Sequence, residues 1–337
     1  MKKFEHGGNI FSFAREIGCE PSEVTDLSSS INFLMPDIEV DMATLNIQAY
    51  PEYSELNASI SDFISLPDSN FEIFNGATAA VFSLFTFLKP KICSIYAPAY
   101  LEYFKAAELV NADTVPLNRF AKGLPQIPEN ASVAVLVNPS TPDGKYYDFL
   151  PFLEECKEKN IIPIIDESFI EFSNFHSASK FIKEFPELFI VKSFTKTFGC
   201  AGIRTGIIIA SSENIEKLRE REPLWKISAY DAAFMTQALA DKSFLKYSLK
   251  KNSENRKMLT DILRNFKHTE KIFHSDANFV LVKLKDMTAE ALAERLKDHK
   301  IMIRNCANFH FLDSSFVRIS VKGSTALNKF KKALDYA

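Results

Sequence analysis

The sequence lacks the long apolar stretches that mark membrane-spanning or exported proteins. No run approaches the roughly 20 apolar residues that a membrane helix requires, and Met1 is followed by charged residues instead of the apolar core of a signal peptide. The formal net charge is only −3, which argues against a polyanion-binding surface and so against nucleic acid as a partner. We expect a cytoplasmic protein without membrane contact.

Cysteines are few and scattered, and they form no recognisable framework. The five occur at positions 19, 93, 156, 200 and 306, and no C-x-x-C pair is among them. This spacing argues against a zinc site and favours a reducing compartment. We therefore expect no bound metal.

Glycine is also scarce, with ten in 337 residues, so the places where it clusters are informative. Residues 193–206 hold three glycines together with Lys196 and Arg204, between apolar runs at residues 188–191 and 207–210. The pattern predicts a strand, a tight polar turn and a second strand. Arginine and hydroxyl groups beside glycine-rich backbone suit a phosphate. Lys196 could be a further phosphate ligand or a nucleophilic amine that forms a Schiff base.

Other apolar runs also end in groups that suit a binding site. The run Val133–Val137 is typical of a strand buried on both faces, and Asn138 follows it. A second run, at residues 161–165, ends in Asp166 and Glu167. The sequence has no G-x-x-x-x-G-K-[ST] loop, so this acid pair does not belong to an ATPase site. Proteins of the α/β class place functional groups at the carboxyl ends of parallel strands.

A glycine turn at residue 76 opens a predicted helix. Asn75, Gly76, Ala77 and Thr78 precede an apolar stretch that Pro90 ends. The unpaired N–H groups and the positive dipole end of such a helix form an anion site, and the ordinary alternative is a plain helix cap by Thr78 or Asn75.

Beyond Arg204 the pattern changes to long helices. Helical stretches at residues 229–266 are followed by strand, helix, two more strands and a terminal helix. We expect residues 36–225 to form a large domain and residues 226–337 a small α+β domain. The N-terminal arm, residues 1–35, is expected to pack with the small domain.

The segment around Lys196 resembles the Schiff-base motif of fold-type I pyridoxal-phosphate enzymes. That motif has a serine three residues before the lysine and an arginine eight residues after it, which are the positions of Ser193 and Arg204. The resemblance implies an α/β fold with a mostly parallel sheet and pyridoxal 5'-phosphate as the cofactor. It makes Lys196 the covalent attachment point and Asp166 the partner of the pyridine nitrogen. The further cofactor contacts it implies are Tyr50, Gly76, Ala77, Thr78, Tyr100, Asn138, Thr141, Ser193 and Arg204.

The resemblance also assigns roles within this set. Tyr100 is implied to stack on the pyridine ring and counts with Lys196 and Asp166 as catalytic. Tyr50 is implied to reach the cofactor phosphate of a neighbouring subunit, which predicts a homodimer. Three positions depart from the aminotransferase pattern: Ala79 stands where relatives often carry an acidic residue, Thr141 replaces an asparagine, and Phe169 stands where a tyrosine is usual, as it often does in the decarboxylases.

The N-terminal sequence HGGN, which begins at His6, and the string at residues 301–309 resemble the threonine-phosphate decarboxylases of cobalamin biosynthesis. That resemblance implies substrate contacts from His6, Ser30, Asn32, Arg304 and Arg318. Alternation along the strand that contains Arg318 puts this arginine opposite an apolar face, where the ordinary expectation is exposure to solvent.

The predicted activity is decarboxylation of an O-phosphorylated amino acid, either L-threonine O-3-phosphate or L-serine O-phosphate. The alternative is a same-fold aminotransferase that acts on histidinol phosphate or a similar substrate. A third possibility is a non-catalytic relative, because a fold does not fix a function.

Overall fold

The computed structural model describes residues 6–121 and 123–337, so the first five residues of the expected arm lie outside it. Its helices are α1 (Ile10–Ile17), α2 (Ser54–Ile64), α3 (Gly76–Leu88), α4 (Glu102–Leu109), α5 (Leu150–Glu158), α6 (Phe194–Thr197), α7 (Ser212–Arg219), α8 (Ala229–Ala240), α9 (Lys242–Arg264), α10 (Ala289–Lys297) and α11 (Ser324–Leu334). Its strands are β1 (Thr25–Asp26), β2 (Phe71–Phe74), β3 (Ile92–Ala97), β4 (Asp113–Asn118), β5 (Val133–Val137), β6 (Ile162–Asp166), β7 (Phe189–Ser193), β8 (Gly206–Ile209), β9 (Thr269–Ile272), β10 (Phe279–Leu284), β11 (Ile301–Met302), β12 (Arg304–Asn305) and β13 (Phe316–Ser320).

The larger sheet has the strand order β2-β8-β7-β6-β5-β3-β4 within the described residues. The pairs among β3, β4, β5, β6 and β7 are parallel, whereas β8 runs antiparallel to both of its neighbours. Every residue of β5 is buried, as the continuous apolar run predicts for a strand covered on both faces. The mostly parallel α/β sheet expected from the resemblance is confirmed.

The smaller sheet is antiparallel, with the order β12-β13-β10-β9. Val317 and Ile319 of β13 face an apolar cluster that also includes Leu259 of α9 and Phe330 of α11. The predicted alternation along this strand is therefore correct, and Arg318 lies on the other face.

The N-terminal segment joins this smaller sheet region through a two-residue strand. β1 pairs in parallel with β11, which sets Asp26 opposite Met302. A single strand was expected across residues 301–306, but it divides after Met302: β11 pairs with β1, and β12 pairs with β13. The two halves, on either side of Ile303, pair with different strands and therefore do not form one continuous strand.

The functional groups converge because of the strand directions. β3, β5, β6 and β7 end at the same edge of the larger sheet, since all four are parallel. β8 runs the other way, so its first residue, Gly206, pairs with Ser193 at that edge. The segment between them, predicted as a tight polar turn, contains the one-turn helix α6, which carries Lys196.

Some elements were not foreseen. α3 begins at Gly76, at the predicted glycine turn, whereas neither α4 nor β4 was expected. β4 is half-exposed along its length and contains Pro116, so it lacks the apolar run of a buried strand. Across residues 6–121 and 123–337, no helix combines the length and apolar character needed to cross a bilayer.

Candidate active site

A cavity of about 630 Å³ lies at the edge where the strands converge. This volume is within the range of small-molecule sites. The predicted site residues that line it are His6, Ser30, Ala77, Thr78, Tyr100, Thr141, Asp166, Ser193, Lys196, Arg204, Arg304 and Arg318. The cavity therefore unites groups from distant parts of the sequence in one place.

One end of the cavity is built to hold an anion. α3 begins there, and Asn75 at its N-cap makes no side-chain hydrogen bond to the first turn, so the helix N–H groups are open. Gly76 has a φ of +80°, and a Cβ at that position would lie 2.6 Å from Nη2 of Arg204. The glycine is thus required for the close approach of the guanidinium to the helix.

Hydroxyl groups complete this end. The Ser193 and Thr195 hydroxyls are 3.1 Å apart, and both residues line the cavity. Thr78 and Tyr100 are joined by a hydrogen bond of 3.0 Å between their hydroxyl oxygens. Helix N–H groups, an arginine and several hydroxyls together are the donor set that binds a phosphate group.

Lys196 places its amine in the cavity between two aromatic rings. Its Nζ lies 4.3 Å from the ring centre of Phe169 and 5.6 Å from that of Tyr100. Burial between these rings lowers the pKa of Lys196 to about 8, and the charges of Arg318 and Arg204 add to this lowering while Asp166 opposes it. A lysine with such a pKa is a usable nucleophile near neutral pH.

Asp166 is buried at the end of β6, and both of its oxygens accept hydrogen bonds. Oδ1 accepts from the Ser168 backbone N–H at 2.9 Å, and Oδ2 accepts from the Tyr103 hydroxyl at 2.9 Å. A carboxylate held in this way, with one edge open to the cavity, can pair with a cationic ring nitrogen.

Arginines enter the cavity from the smaller sheet. Arg304 and Arg318 are directly opposed across β12 and β13. Arg318 is only 8% exposed, so the ordinary expectation of a solvent-facing arginine is wrong. It donates to the Thr141 Oγ1 at 3.1 Å and to the Ser28 carbonyl at 2.9 Å, and its Nε has no hydrogen-bond partner among the described residues. The Ser30 hydroxyl, also buried in this wall, has none either.

Lys322 adds a further cation that sequence reasoning missed. It lines the cavity and donates to the Ile31 carbonyl at 3.0 Å. Burial lowers its pKa, and the neighbouring Asp26 opposes that shift. Burial alone would raise the pKa of Asp26, but Lys322 and hydrogen bonds from Ser28 and Ser29 outweigh this effect and lower it. In the sequence, the only indication of this cation is a lysine two residues after the end of β13.

His6 lies over the cavity at the start of the described chain. Its Nε2 is 2.7 Å from Oε1 of Glu102, and its ring is tilted against that of Tyr100, with 5.5 Å between centres. The predicted arm therefore covers Tyr100, and His6 is paired with a carboxylate in this structure.

Four predicted site residues do not line the cavity: Gly76, whose role in the approach of Arg204 is described above, and Asn32, Asn138 and Tyr50. The Asn32 amide donates to the Thr197 carbonyl and the Ser248 hydroxyl, and Asn138 exchanges two hydrogen bonds with the Tyr147 backbone. Because the polar atoms of both side chains are already paired with protein atoms, these residues stabilise the loops beside the cavity. Tyr50 is 72% exposed and stacks on Trp225, outside the cavity of its own chain.

Metal ligation finds no support in this region. Within residues 6–121 and 123–337, no group of three or more histidine, cysteine, aspartate or glutamate side chains is arranged to hold a metal ion.

Comparison with known proteins gives the family. Residues 32–335 match the family model described as "Aminotransferase class I and II". A protein of Caldanaerobacter subterraneus subsp. tengcongensis named "Putative threonine-phosphate decarboxylase" is 31% identical over 96% of this chain and 90% of its own length.

Solved structures agree in fold. The histidinol-phosphate aminotransferase of Clostridium acetobutylicum is 29% identical and superposes with a TM-score of 0.84, covering 91% of this chain and 97% of its own. The histidinol-phosphate aminotransferase of Sinorhizobium meliloti, solved in complex with pyridoxal 5'-phosphate, is 17% identical. It superposes with a TM-score of 0.82, covering 99% of this chain and 97% of the aminotransferase chain. The chain belongs to the class I and II aminotransferase family of fold-type I enzymes, which depend on pyridoxal phosphate.

Proposed function

We propose that this protein decarboxylates an O-phosphorylated amino acid: L-threonine O-3-phosphate to (R)-1-amino-2-propanol phosphate, or L-serine O-phosphate to ethanolamine phosphate. One observation carries the proposal. The cavity that contains Lys196 also contains three cationic side chains, Arg304, Arg318 and Lys322, which suit a substrate with both a carboxylate and a phosphate. The 31% identical relative bears a name of the same kind.

The described residues fit pyridoxal phosphate. We assign its phosphate to the open N-terminus of α3 together with Arg204, Ser193 and Thr78, because these three side chains line the same cavity and the guanidinium of Arg204 approaches the first residue of α3. We assign its aldehyde to Lys196, its ring face to Tyr100 and its pyridine nitrogen to Asp166. Thr141, which already accepts from Arg318, is within the same cavity.

Pyridoxal phosphate, when bound, supplies an aldehyde for the substrate amine and a ring that accepts the electrons of a broken Cα bond. Asp166 holds a proton on the ring nitrogen by its negative charge. Arg318 and Arg304 bind the anionic groups of the substrate and so fix which bond at Cα stands perpendicular to the ring. With the cofactor bound, Lys196 would release the aldehyde carbon to the substrate amine, and its Nζ would hold the proton that Cα receives after CO₂ has left.

The test is release of CO₂ from O-phosphothreonine and O-phosphoserine by the holoenzyme. We expect turnover of at least one compound and a kcat/KM at least about 100-fold lower for unphosphorylated threonine, which cannot use the cationic wall. No CO₂ release from either compound would contradict the proposal. Glutamate formation from 2-oxoglutarate and histidinol phosphate would then support the aminotransferase, which relatives with that name also suggest.

The amine of Lys196 gives a pH prediction. With a pKa of about 8, Lys196 is mostly protonated at pH 7 and mostly neutral at pH 9. Because only the neutral amine attacks an aldehyde, we expect the rate at which cofactor-free protein takes up pyridoxal phosphate to rise roughly tenfold over this interval and then level off. Absorbance after rapid mixing measures the rate.

A second buried lysine is the control for this prediction. Burial alone would lower the pKa of Lys192, but Glu171 and Glu167 raise it, so this amine stays protonated. After borohydride reduction, peptide mass spectrometry is expected to find the cofactor on Lys196 and none on Lys192. A rate that is unchanged between pH 7 and pH 9, or a label on Lys192, would contradict the assignment.

Arg318→Met gives a prediction on substrate binding. It removes a buried cation while retaining much of the side-chain volume, and we expect KM for the phosphorylated substrate to rise roughly 10- to 100-fold, the usual effect of one charged hydrogen bond. Arg256→Met is the matched control, because Arg256 donates to the Ala277 carbonyl and does not line the cavity. An equal KM in the two folded variants would refute the role of Arg318.

We further propose a homodimer in which Tyr50 reaches the cavity of the partner. Tyr50 and Trp225 stack with 3.9 Å between ring centres, and Ile47, Met42 and Leu224 are also exposed apolar residues in these segments. Such a patch is typical of an interface.

A mixing experiment tests the shared site. Lys196→Ala and Tyr50→Ala are each expected to be nearly inactive alone. In a mixed dimer one of the two sites has both native residues, so co-expression in equal amounts is expected to restore about a quarter of the wild-type activity. A mixture with no more activity than its two components would show that Tyr50 does not act across subunits.

A further inference from the structure

Tyr103 lies behind the cavity, in the first turn of α4. Its side chain is fully buried and does not line the cavity. It nevertheless contacts two residues that do. The hydroxyl donates to Oδ2 of Asp166 at 2.9 Å, and the ring packs edge-on against Tyr100, with 6.4 Å between ring centres and an interplanar angle of 82°.

The direction of the hydrogen bond is fixed by electrostatics. Burial raises the pKa of Tyr103 well above its ordinary value, and the adjacent Asp166 raises it further. The phenol therefore keeps its proton, and Tyr103 donates while the carboxylate accepts. Since the Ser168 N–H binds the other oxygen, the two donors together fix the plane of the carboxyl group.

The ring of Tyr103 is itself held firmly. It packs against Phe85 of α3, with 6.2 Å between ring centres, and its backbone N–H donates to the Tyr100 carbonyl at 3.2 Å. α3 carries the proposed phosphate site at its N-terminus. One buried side chain thus contacts a later turn of that helix, the acid Asp166 and the aromatic ring of Tyr100.

We propose that Tyr103 is a positioning residue for the cofactor. It sets the orientation of the Asp166 carboxylate and the position of the Tyr100 ring, and it thereby controls cofactor affinity and turnover. The inference rests on the pyridoxal-phosphate dependence of the family and on the assigned role of Asp166. It does not depend on which substrate is used.

The test compares Tyr103→Phe with Tyr96→Phe. Tyr96 is an equally buried tyrosine in the neighbouring strand β3, and its hydroxyl donates to the Pro125 carbonyl at 2.7 Å, away from the cavity. Each variant loses one oxygen atom and one buried hydrogen bond. The dissociation constant of pyridoxal phosphate is measured by absorbance titration of cofactor-free protein, with circular dichroism as the check on folding.

We expect Tyr103→Phe to raise this dissociation constant about tenfold and to lower kcat of the holoenzyme about tenfold, the usual effect of a hydrogen bond to a charged group. KM for the substrate should stay within about twofold, because Tyr103 does not line the cavity. Tyr96→Phe should match the wild type in all three. The proposal is overturned if folded Tyr103→Phe keeps a wild-type dissociation constant and kcat, or if Tyr96→Phe changes them equally.

A double-mutant cycle gives a second reading. If Tyr103 acts through Asp166, Tyr103→Phe should change cofactor affinity little in a protein that already carries Asp166→Asn. Additive losses in the cycle would mean that Tyr103 does not act through Asp166. The affinity titrations need no substrate, so they remain decisive even if the decarboxylase proposal fails.

Discussion

Lys196→Ala is expected to lower kcat by about 10⁴-fold or more and to remove the covalent attachment of pyridoxal phosphate. The change removes a nucleophile and a proton-transfer group at once, and proton transfer alone contributes about 10²- to 10⁴-fold. The two measurements are steady-state turnover and the absorbance of protein mixed with cofactor. Bound cofactor should then be released by gel filtration, since only reversible contacts with the α3 end and Arg204 remain.

Lys192→Met is the control for this experiment. Lys192 is buried four residues earlier and pairs with Glu167 at 3.2 Å and Glu171 at 2.8 Å, without lining the cavity. Its removal leaves buried carboxylates without their cation and is expected to reduce the free energy of unfolding by about 3 kcal/mol. Covalent cofactor should nevertheless remain. Loss of covalent cofactor in Lys192→Met, or its retention in Lys196→Ala, would contradict the assignment of the nucleophile.

Asp166→Asn is expected to lower kcat by about 10²- to 10³-fold. An amide has nearly the same shape but carries no charge, so it cannot hold the proton on the ring nitrogen, and loss of one preorganised electrostatic group has effects of this size. KM should change little, because the cations that we propose bind the substrate are on other elements. Steady-state kinetics with saturating cofactor measures both values.

Glu72→Gln is the matched control for Asp166→Asn. Glu72 is a mostly buried carboxylate in β2 of the same sheet, paired with Arg219 at 2.8 Å and Lys226 at 2.5 Å, and it does not line the cavity. We expect its substitution to reduce stability and leave kcat unchanged. Equal kcat values for Asp166→Asn and Glu72→Gln would exclude an electrostatic role for Asp166.

The resemblance predicted the fold, and local patterns predicted which groups lie at the edge of the sheet. Asp166 ends a buried apolar run, and Lys196 and Arg204 lie in one glycine-rich turn, so strand direction alone brings them to one edge. The family, the fold class and the cofactor are confirmed. The individual contacts to cofactor and substrate remain predictions.

What the sequence could not predict is the direction of side chains and their distant partners. Asn32 and Asn138 lie in the expected segments, but the amide of Asn32 turns to Ser248, far away in the sequence, and that of Asn138 turns to the backbone of Tyr147. Tyr103 was missed because its hydrogen bond spans 63 residues to Asp166. Lys322 follows a strand whose apolar alternation says nothing about a cavity on its other side.

The hairpin of β7 and β8 has a consequence for how this protein can change over evolution. Ser193 and Gly206 are paired across the sheet, so the chain between them begins and ends at fixed points, with Lys196 and Arg204 inside. An inserted or deleted residue there would displace the amine relative to the arginine, or shift the register of two buried strands. Among descendants of this gene, length differences should therefore accumulate in exposed connections, while this interval keeps a constant length.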